Sequence, residues 1–165
     1  APNLKSHDQI PLPFGAQVTV SAEHGNFYQT SAGFIPRQHL RATGDFLTDP
    51  REVAKMFLGC PYLWGGNSAA GIDCSGLIQA ACHATGRACP GDSGPQQKIF
   101  PATEGDWAPG QLIFWPGHVA LTLSATHLIH ANAHAMAVGI EAIDVAIARI
   151  EAAGDGPMLQ RSQLT

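Results

Sequence analysis

Along residues 1–43 the apolar positions come in short bursts between turn formers, Pro11, Pro13, Gly15, Gly25, Gly33 and Pro36. Gln17-Val18-Thr19-Val20-Ser21 alternates, with its apolar side chains on one face of an extended chain. Asn26-Phe27-Tyr28-Gln29-Thr30 is short, aromatic and β-favouring, and Gly33-Phe34-Ile35-Pro36 follows as a last strand. These make a small β module, too short for a complete barrel. Thr43 to Pro50 reads as a linker. Arg51 to Leu58 then reads as a helix, with Asp49 as its N-cap and Pro50 in its first turn.

Beyond the linker the rhythm changes. Leu77, Ile78, Ala81 and Cys82 recur at the spacing of a buried helical stripe, which Asp73 can cap and Gly86 can end. Pro109 to Gly117 reads as a turn, a fully buried strand and another turn. In His118–Ser124 the residues Val119, Leu121 and Leu123 share one face and His118 takes the other. His127–Ala131 is the returning strand, and Gly139 to Ala153 is expected to be a helix with Glu141, Asp144 and Glu151 on its solvated face. The pattern predicts a small β module at 1–43 and a larger domain at 44–165 that contains both helices and strands.

Composition narrows the functional classes. Apolar residues make up 45% of the 165 residues, which is globular composition with enough chain for a well-buried core. A net charge of −4, with nine Lys and Arg and no basic run, argues against nucleic acid or an anionic membrane as partner. No stretch approaches the roughly 20 apolar residues of a membrane span. Cys60, Cys74, Cys82 and Cys89 lack the CxxC spacing of a zinc site, so they are read as reduced, one special and three structural. No metal or cofactor is expected. Ala1-Pro2-Asn3-Leu4-Lys5 lacks both an initiator Met and the basic-then-apolar pattern of a signal peptide.

The special cysteine is Cys74. In the first turn of its helix it meets unpaired N–H groups and the positive end of the helix dipole, which favour thiolate over thiol. The same N–H groups can receive an oxyanion as an acyl carbon becomes tetrahedral. A base is still needed, and parity offers one. A two-residue turn at Ala125-Thr126 would put His130 beside Leu121, on the wrong face. A three-residue turn centred on Ser124 would set His118 directly opposite His130, with Cβ atoms roughly 5 Å apart, and this odd-length turn or an equivalent bulge is expected. Among the other histidines, His134 is the one competitor for the third position, while His7, His24, His39, His83 and His127 are read as surface or loop residues. Trp64 and Trp115 are read as core.

Tyr62-Leu63-Trp64-Gly65-Gly66, Asp73-Cys74-Ser75-Gly76-Leu77, Gly117-His118-Val119-Ala120-Leu121 and Ile129-His130-Ala131 together resemble the NlpC/P60 family of bacterial cell-wall peptidases, over about residues 50–150. The resemblance implies an α+β, papain-like fold, with the nucleophile on a helix packed against an antiparallel sheet. It implies Cys74 as nucleophile, His118 as base and His130 as the third polar residue, with Tyr62, Asp73 and Ser75 lining the substrate side. It further implies hydrolysis of the γ-D-glutamyl bond to meso-diaminopimelate, or a similar diamino acid, in a peptidoglycan-derived peptide. The sequence departs from the family where Gly91 replaces an Arg before Asp92-Ser93, and where Gln111 replaces an Asp. Residues 11–40 resemble the end of a bacterial SH3-like domain, which in some relatives walls off the cleft so that only peptides with a free N-terminal L-Ala fit. That remnant, with the missing signal pattern, leads to the expectation of small soluble peptides handled in the cytoplasm.

Overall fold

In the computed structural model, which describes residues 1–7 and 10–164, the chain forms two units, Ala1–Phe46 and Leu47–Thr165. The first contains an antiparallel meander of β1 (Ala22–His24), β2 (Phe27–Thr30) and β3 (Gly33–Pro36). The second and third strands lie where the alternation places them, but Gln17–Ser21 forms none. The reason is register. A two-residue turn, Gly25-Asn26 with Gly25 at φ +56, pairs His24 with Phe27 and Ala22 with Gln29. β2 is only four residues long, so residues 17–20 have no ladder left to join.

In the second unit, α1 (Pro50–Lys55) starts as expected, with Asp49 Oδ1 accepting from the Arg51 N–H at 2.8 Å. A two-stranded ribbon, β4 (Asn67–Ser68) and β5 (Gly71–Ile72), leads into α2 (Cys74–Ala84), and α3 (Ser93–Ile99) follows. Next come β6 (Gln111–Trp115), β7 (His118–Thr122), β8 (His127–Asn132) and β9 (Ala137–Ala142). Helix α4 (Ile143–Ala153) and β10 (Gln160–Gln163) complete the unit. The sheet order is β10-β6-β7-β8-β9, antiparallel throughout.

Both faces of this sheet are covered, which is why its central strands are apolar at nearly every position. Leu112, Phe114, Val119, Leu121 and Ile129 pack with Val53, Ala54, Leu77, Ile78 and Ala81 of α1 and α2. Ile113, Trp115, Ala120 and Leu128 pack with Ile143, Ala146 and Ile150 of α4. Each fully buried Leu or Ile contributes about 1.5–3 kcal/mol. Leu77, Ile78, Ala81 and Cys82 are all fully buried, as their helical spacing predicts.

Several elements of this unit depart from expectation, beginning with α1, which ends at Lys55 rather than at Leu58. The helix expected from Gly139 begins at Ile143, because residues 137–142 pair along the whole of β8, from His127↔Ala142 to Asn132↔Ala137. Gly139 is a poor helix residue, and the open edge of β8 supplies backbone partners that a helix at this place would forgo. β10 has no counterpart in the sequence pattern because Gln160-Arg161-Ser162-Gln163 lacks apolar alternation, yet Ser162 is fully buried against the sheet.

Candidate active site

The nucleophile candidate is placed by its cap. Asp73 Oδ1 accepts from the Gly76 N–H at 2.7 Å and from Ser75 Oγ at 3.1 Å, while Oδ2 accepts from the Gly65 N–H at 2.9 Å. One carboxylate therefore starts α2 and ties the Trp64–Gly66 loop to it. Gly76 makes the approach possible, since a Cβ there would lie 2.5 Å from the backbone oxygen of Gly66. Gln96, fully buried, braces the same turn from α3, donating to Ser75 O at 2.9 Å and Pro90 O at 2.8 Å.

Cys74, 6% exposed, lies against the start of β7. Its thiol donates to Gly117 O at 3.8 Å and receives the Val119 N–H, so the chain on both sides of His118 meets the sulfur. The β6–β7 hairpin sets this position. Trp115 pairs with His118 across Pro116-Gly117, and Gly117 turns at φ +69, a left-handed conformation that suits glycine. Trp115 lies beside the His118 ring, with centroids 5.6 Å apart.

The β7–β8 turn has the odd length that parity demands. It is centred on Ala125 rather than Ser124, with Leu121 opposite Ile129 and the Leu123 N–H donating to His127 O. His118 and His130 therefore share a sheet face, but as diagonal neighbours rather than the directly opposed pair expected, because the turn is centred one residue later; His118 Nε2 and His130 Nδ1 are still hydrogen-bonded at 2.9 Å. His134, the competitor, is exposed.

The pair does not end the chain of contacts. His130 Nε2 lies 3.2 Å from Glu141 Oε2, and Arg149 donates to both Glu141 oxygens, at 3.0 and 2.7 Å. The helical reading of residues 139–153, which puts Glu141 on a solvated face, is corrected here. Its strand neighbour is Leu128, and the side chain reaches the buried imidazole. The signal that could have found it is the strand-like alternation of Ala137-Val138-Gly139-Ile140-Glu141-Ala142.

Burial governs the protonation of the site. It pushes the Cys74 thiol above its ordinary value, with the nearby Asp73 charge adding to this and the N–H groups of Val119, Ser75 and Cys74 opposing it. Burial also lowers His118 to about 3, helped by His130 and Arg149 and opposed by Glu141. His130 falls to about 4, again chiefly by burial. Desolvation thus opposes the thiolate that the helix terminus favours, raising the thiol while it lowers both imidazoles.

Tyr62 stands beside these groups, its hydroxyl pushed up by burial and then by the charges of Cys74 and Asp73. Ser75 is buried, with its hydroxyl committed to Asp73. Trp115 is core, whereas Trp64 is 80% exposed beside Gly65, so its core assignment is corrected. Gln111 is structural: its side-chain oxygen accepts from the Ala108 N–H at 3.2 Å. Gly91 is exposed. Among the described residues no cluster of His, Cys, Asp and Glu could hold a metal ion, and all four cysteines are free.

This geometry has relatives. The NlpC/P60 family profile matches residues 59–151, which span the cap, the cysteine and both histidines. The chain belongs to the NlpC/P60 family. It is 33% identical over 131 residues to a Gamma-D-glutamyl-L-lysine dipeptidyl-peptidase of Bacillus cereus, covering 74% of this chain and 37% of that one. It is 36% identical over 147 residues to Dipeptidyl-peptidase 6 of Lysinibacillus sphaericus, covering 86% of this chain and 53% of that one. The chain thus spans about half, or less, of the length of these curated relatives. The solved structure of an NlpC/P60 family protein from Bacillus cereus superposes with a TM-score of 0.77 at 25% identity, covering 92% of this chain and 55% of that one. The NlpC/P60 α+β fold is the fold of this chain.

Proposed function

We propose that this NlpC/P60 chain is a cysteine peptidase that hydrolyses the γ-D-glutamyl bond to meso-diaminopimelate, or to a similar diamino acid, in peptidoglycan-derived peptides. The observation that carries the reading is a buried thiol at a helix N-terminus, set against the strand that presents His118 hydrogen-bonded to His130. The Bacillus cereus relative's name, a γ-D-glutamyl-L-lysine dipeptidyl-peptidase, supports a γ-D-glutamyl bond to a diamino acid, and both relatives' names support a dipeptidyl mode, which in this reading releases L-Ala-D-Glu from a free N-terminus.

In this reading His118 takes the thiol proton as Cys74 attacks the carbonyl carbon of the D-glutamyl side-chain amide. Backbone N–H groups at the start of α2 stabilise the oxyanion. The C–N bond breaks as His118 gives its proton to the leaving amine, and a thioester to Cys74 remains. His118 then deprotonates water, which releases the dipeptide and restores the thiol. His130 holds the His118 ring throughout, and Tyr62, Asp73 and Ser75 lie on the side where the peptide binds.

The test is incubation with L-Ala-γ-D-Glu-meso-diaminopimelate and with its L-Lys counterpart, followed by mass spectrometry. The protein should release L-Ala-D-Glu and the free diamino acid, and Cys74→Ala should release neither while keeping its thermal midpoint. A Cys74→Ala protein that still cleaves overturns the nucleophile assignment. Binding without cleavage by the unaltered protein replaces the hydrolase with a wall-peptide binding module.

A further inference from the structure

We infer that Glu141, clamped by Arg149, is a positioning residue that sets the tautomers of both histidines and thereby leaves the basic lone pair of His118 on Nδ1. The inference deepens the peptidase reading and rests on it for its kinetic consequence, but the tautomers themselves are a property of the resting protein.

Proton donors and acceptors follow one another along a single line. Arg149 gives two N–H groups to Glu141, Nε–H to Oε1 at 3.0 Å and an Nη2 hydrogen to Oε2 at 2.7 Å. A carboxylate held in this fork is an acceptor only. His130 Nε2, 3.2 Å from Oε2 on a ring that is 1% exposed, must therefore carry a hydrogen, since two facing acceptors would repel in a dry site. A neutral imidazole with hydrogen on Nε2 has only a lone pair on Nδ1. That lone pair faces His118 Nε2 at 2.9 Å, so His118 Nε2 carries the hydrogen and donates. What is left on His118 is an unprotonated Nδ1. Each step excludes the alternative at the next, and the order starts from an arginine on α4.

Without the carboxylate the imidazole pair is ambiguous. His130 Nδ1–H could donate to His118 Nε2 equally well, and His118 would then hold its hydrogen on Nδ1, where it cannot take the thiol proton. Two histidines alone form the hydrogen bond but do not give it a direction. Glu141 supplies the direction. Its place on β9, the strand beside β8, and the place of Arg149 on α4, which covers one face of the sheet, make the device part of the fold.

The experiment is long-range proton–nitrogen correlation at neutral pH on protein labelled with 15N-histidine, for the unaltered chain and for Glu141→Gln, with steady-state kinetics on the γ-D-glutamyl tripeptide. The unaltered protein should show hydrogen on Nε2 and a free Nδ1 for both His118 and His130. The amide introduced by Glu141→Gln can either accept or donate, so the variant should show a mixed or reversed pair. Its kcat should fall about tenfold or more, with KM within about twofold, because wrong-tautomer populations cost turnover rather than binding. Hydrogen on His118 Nδ1 in the unaltered protein overturns the inference without any variant. So does a folded Glu141→Gln with unchanged tautomers and unchanged kcat. Correct tautomers in a protein that cleaves no γ-D-glutamyl peptide leave this inference standing and remove the peptidase reading.

Discussion

Cys74 illustrates how two opposed single-residue effects are decided by magnitude. A helix N-terminus is worth at most about 2 kcal/mol to a negative charge, whereas burying an ionised group costs several. The sulfur has 6% exposure and its value is raised, so burial wins. The prediction is a reactivity profile. Iodoacetamide labelling of Cys74, read on its own peptide by mass spectrometry, should accelerate about tenfold per pH unit through neutrality, as for a neutral thiol. A rate that is flat from acid to neutral pH would reveal a preformed thiolate–imidazolium pair. The same scale explains which histidines matter. His118 and His130 are legible as candidates from their strand positions, and His134 is set apart from them by its exposure. Glu141 is not legible in this way, because its role depends on meeting a particular ring on the neighbouring strand.

At the scale of elements, the first turn of α2 is the piece the rest of the site is built against. The Asp73 cap, the Gly66 backbone and the Gln96 brace all converge on it. Gly76→Ala would place a methyl 2.5 Å from the Gly66 carbonyl oxygen, which is backbone and cannot swing aside. It should destabilise the protein by about 1–3 kcal/mol, read as a lower urea midpoint, and should lower peptidase activity by displacing Cys74. A midpoint and activity equal to those of the unaltered protein would show that the close approach is not needed. The cap and the stripe of α2 are readable locally, because a helix start and its buried face are written within a few turns of chain. α3 and β10 are not. α3 carries Gly94 and Pro95 in its first turn, where no donor is required from Pro95, but neither residue marks a helix in the sequence pattern. β10 is polar, and its partner β6 is distant in the chain.

For the whole molecule, the buried histidines and the Glu141–Arg149 pair act with one sign on acid stability. Folded His118 and His130 titrate near 3 and 4, below the ordinary 6.5. Between the folded and the ordinary values the unfolded chain binds protons that the folded chain refuses, so stability falls as pH drops below about 6.5. Glu141 is held below 4.5 chiefly by Arg149, so its contribution is present above that value and is lost as pH falls through the folded value. The thermal midpoint should therefore decline from about pH 7 to about pH 4, and His130→Asn should flatten the upper part of that decline. A midpoint independent of pH across this interval would contradict the burial argument.

Periodicity alone was enough for the helix that begins at Cys74 and for the buried strands around His118 and His130, and it stated which turn lengths would let those two rings share a face. Each of these is written in a short stretch of chain and needs no knowledge of what lies across the core. Packing was required to make residues 137–142 strand rather than helix and to centre the β7–β8 turn on Ala125. Packing also raises the Cys74 thiol by burial and sets Glu141 and Arg149 behind His130. Those outcomes depend on which backbone edge is open, how much water is excluded and which charges meet, and such quantities exist only once distant segments have come together.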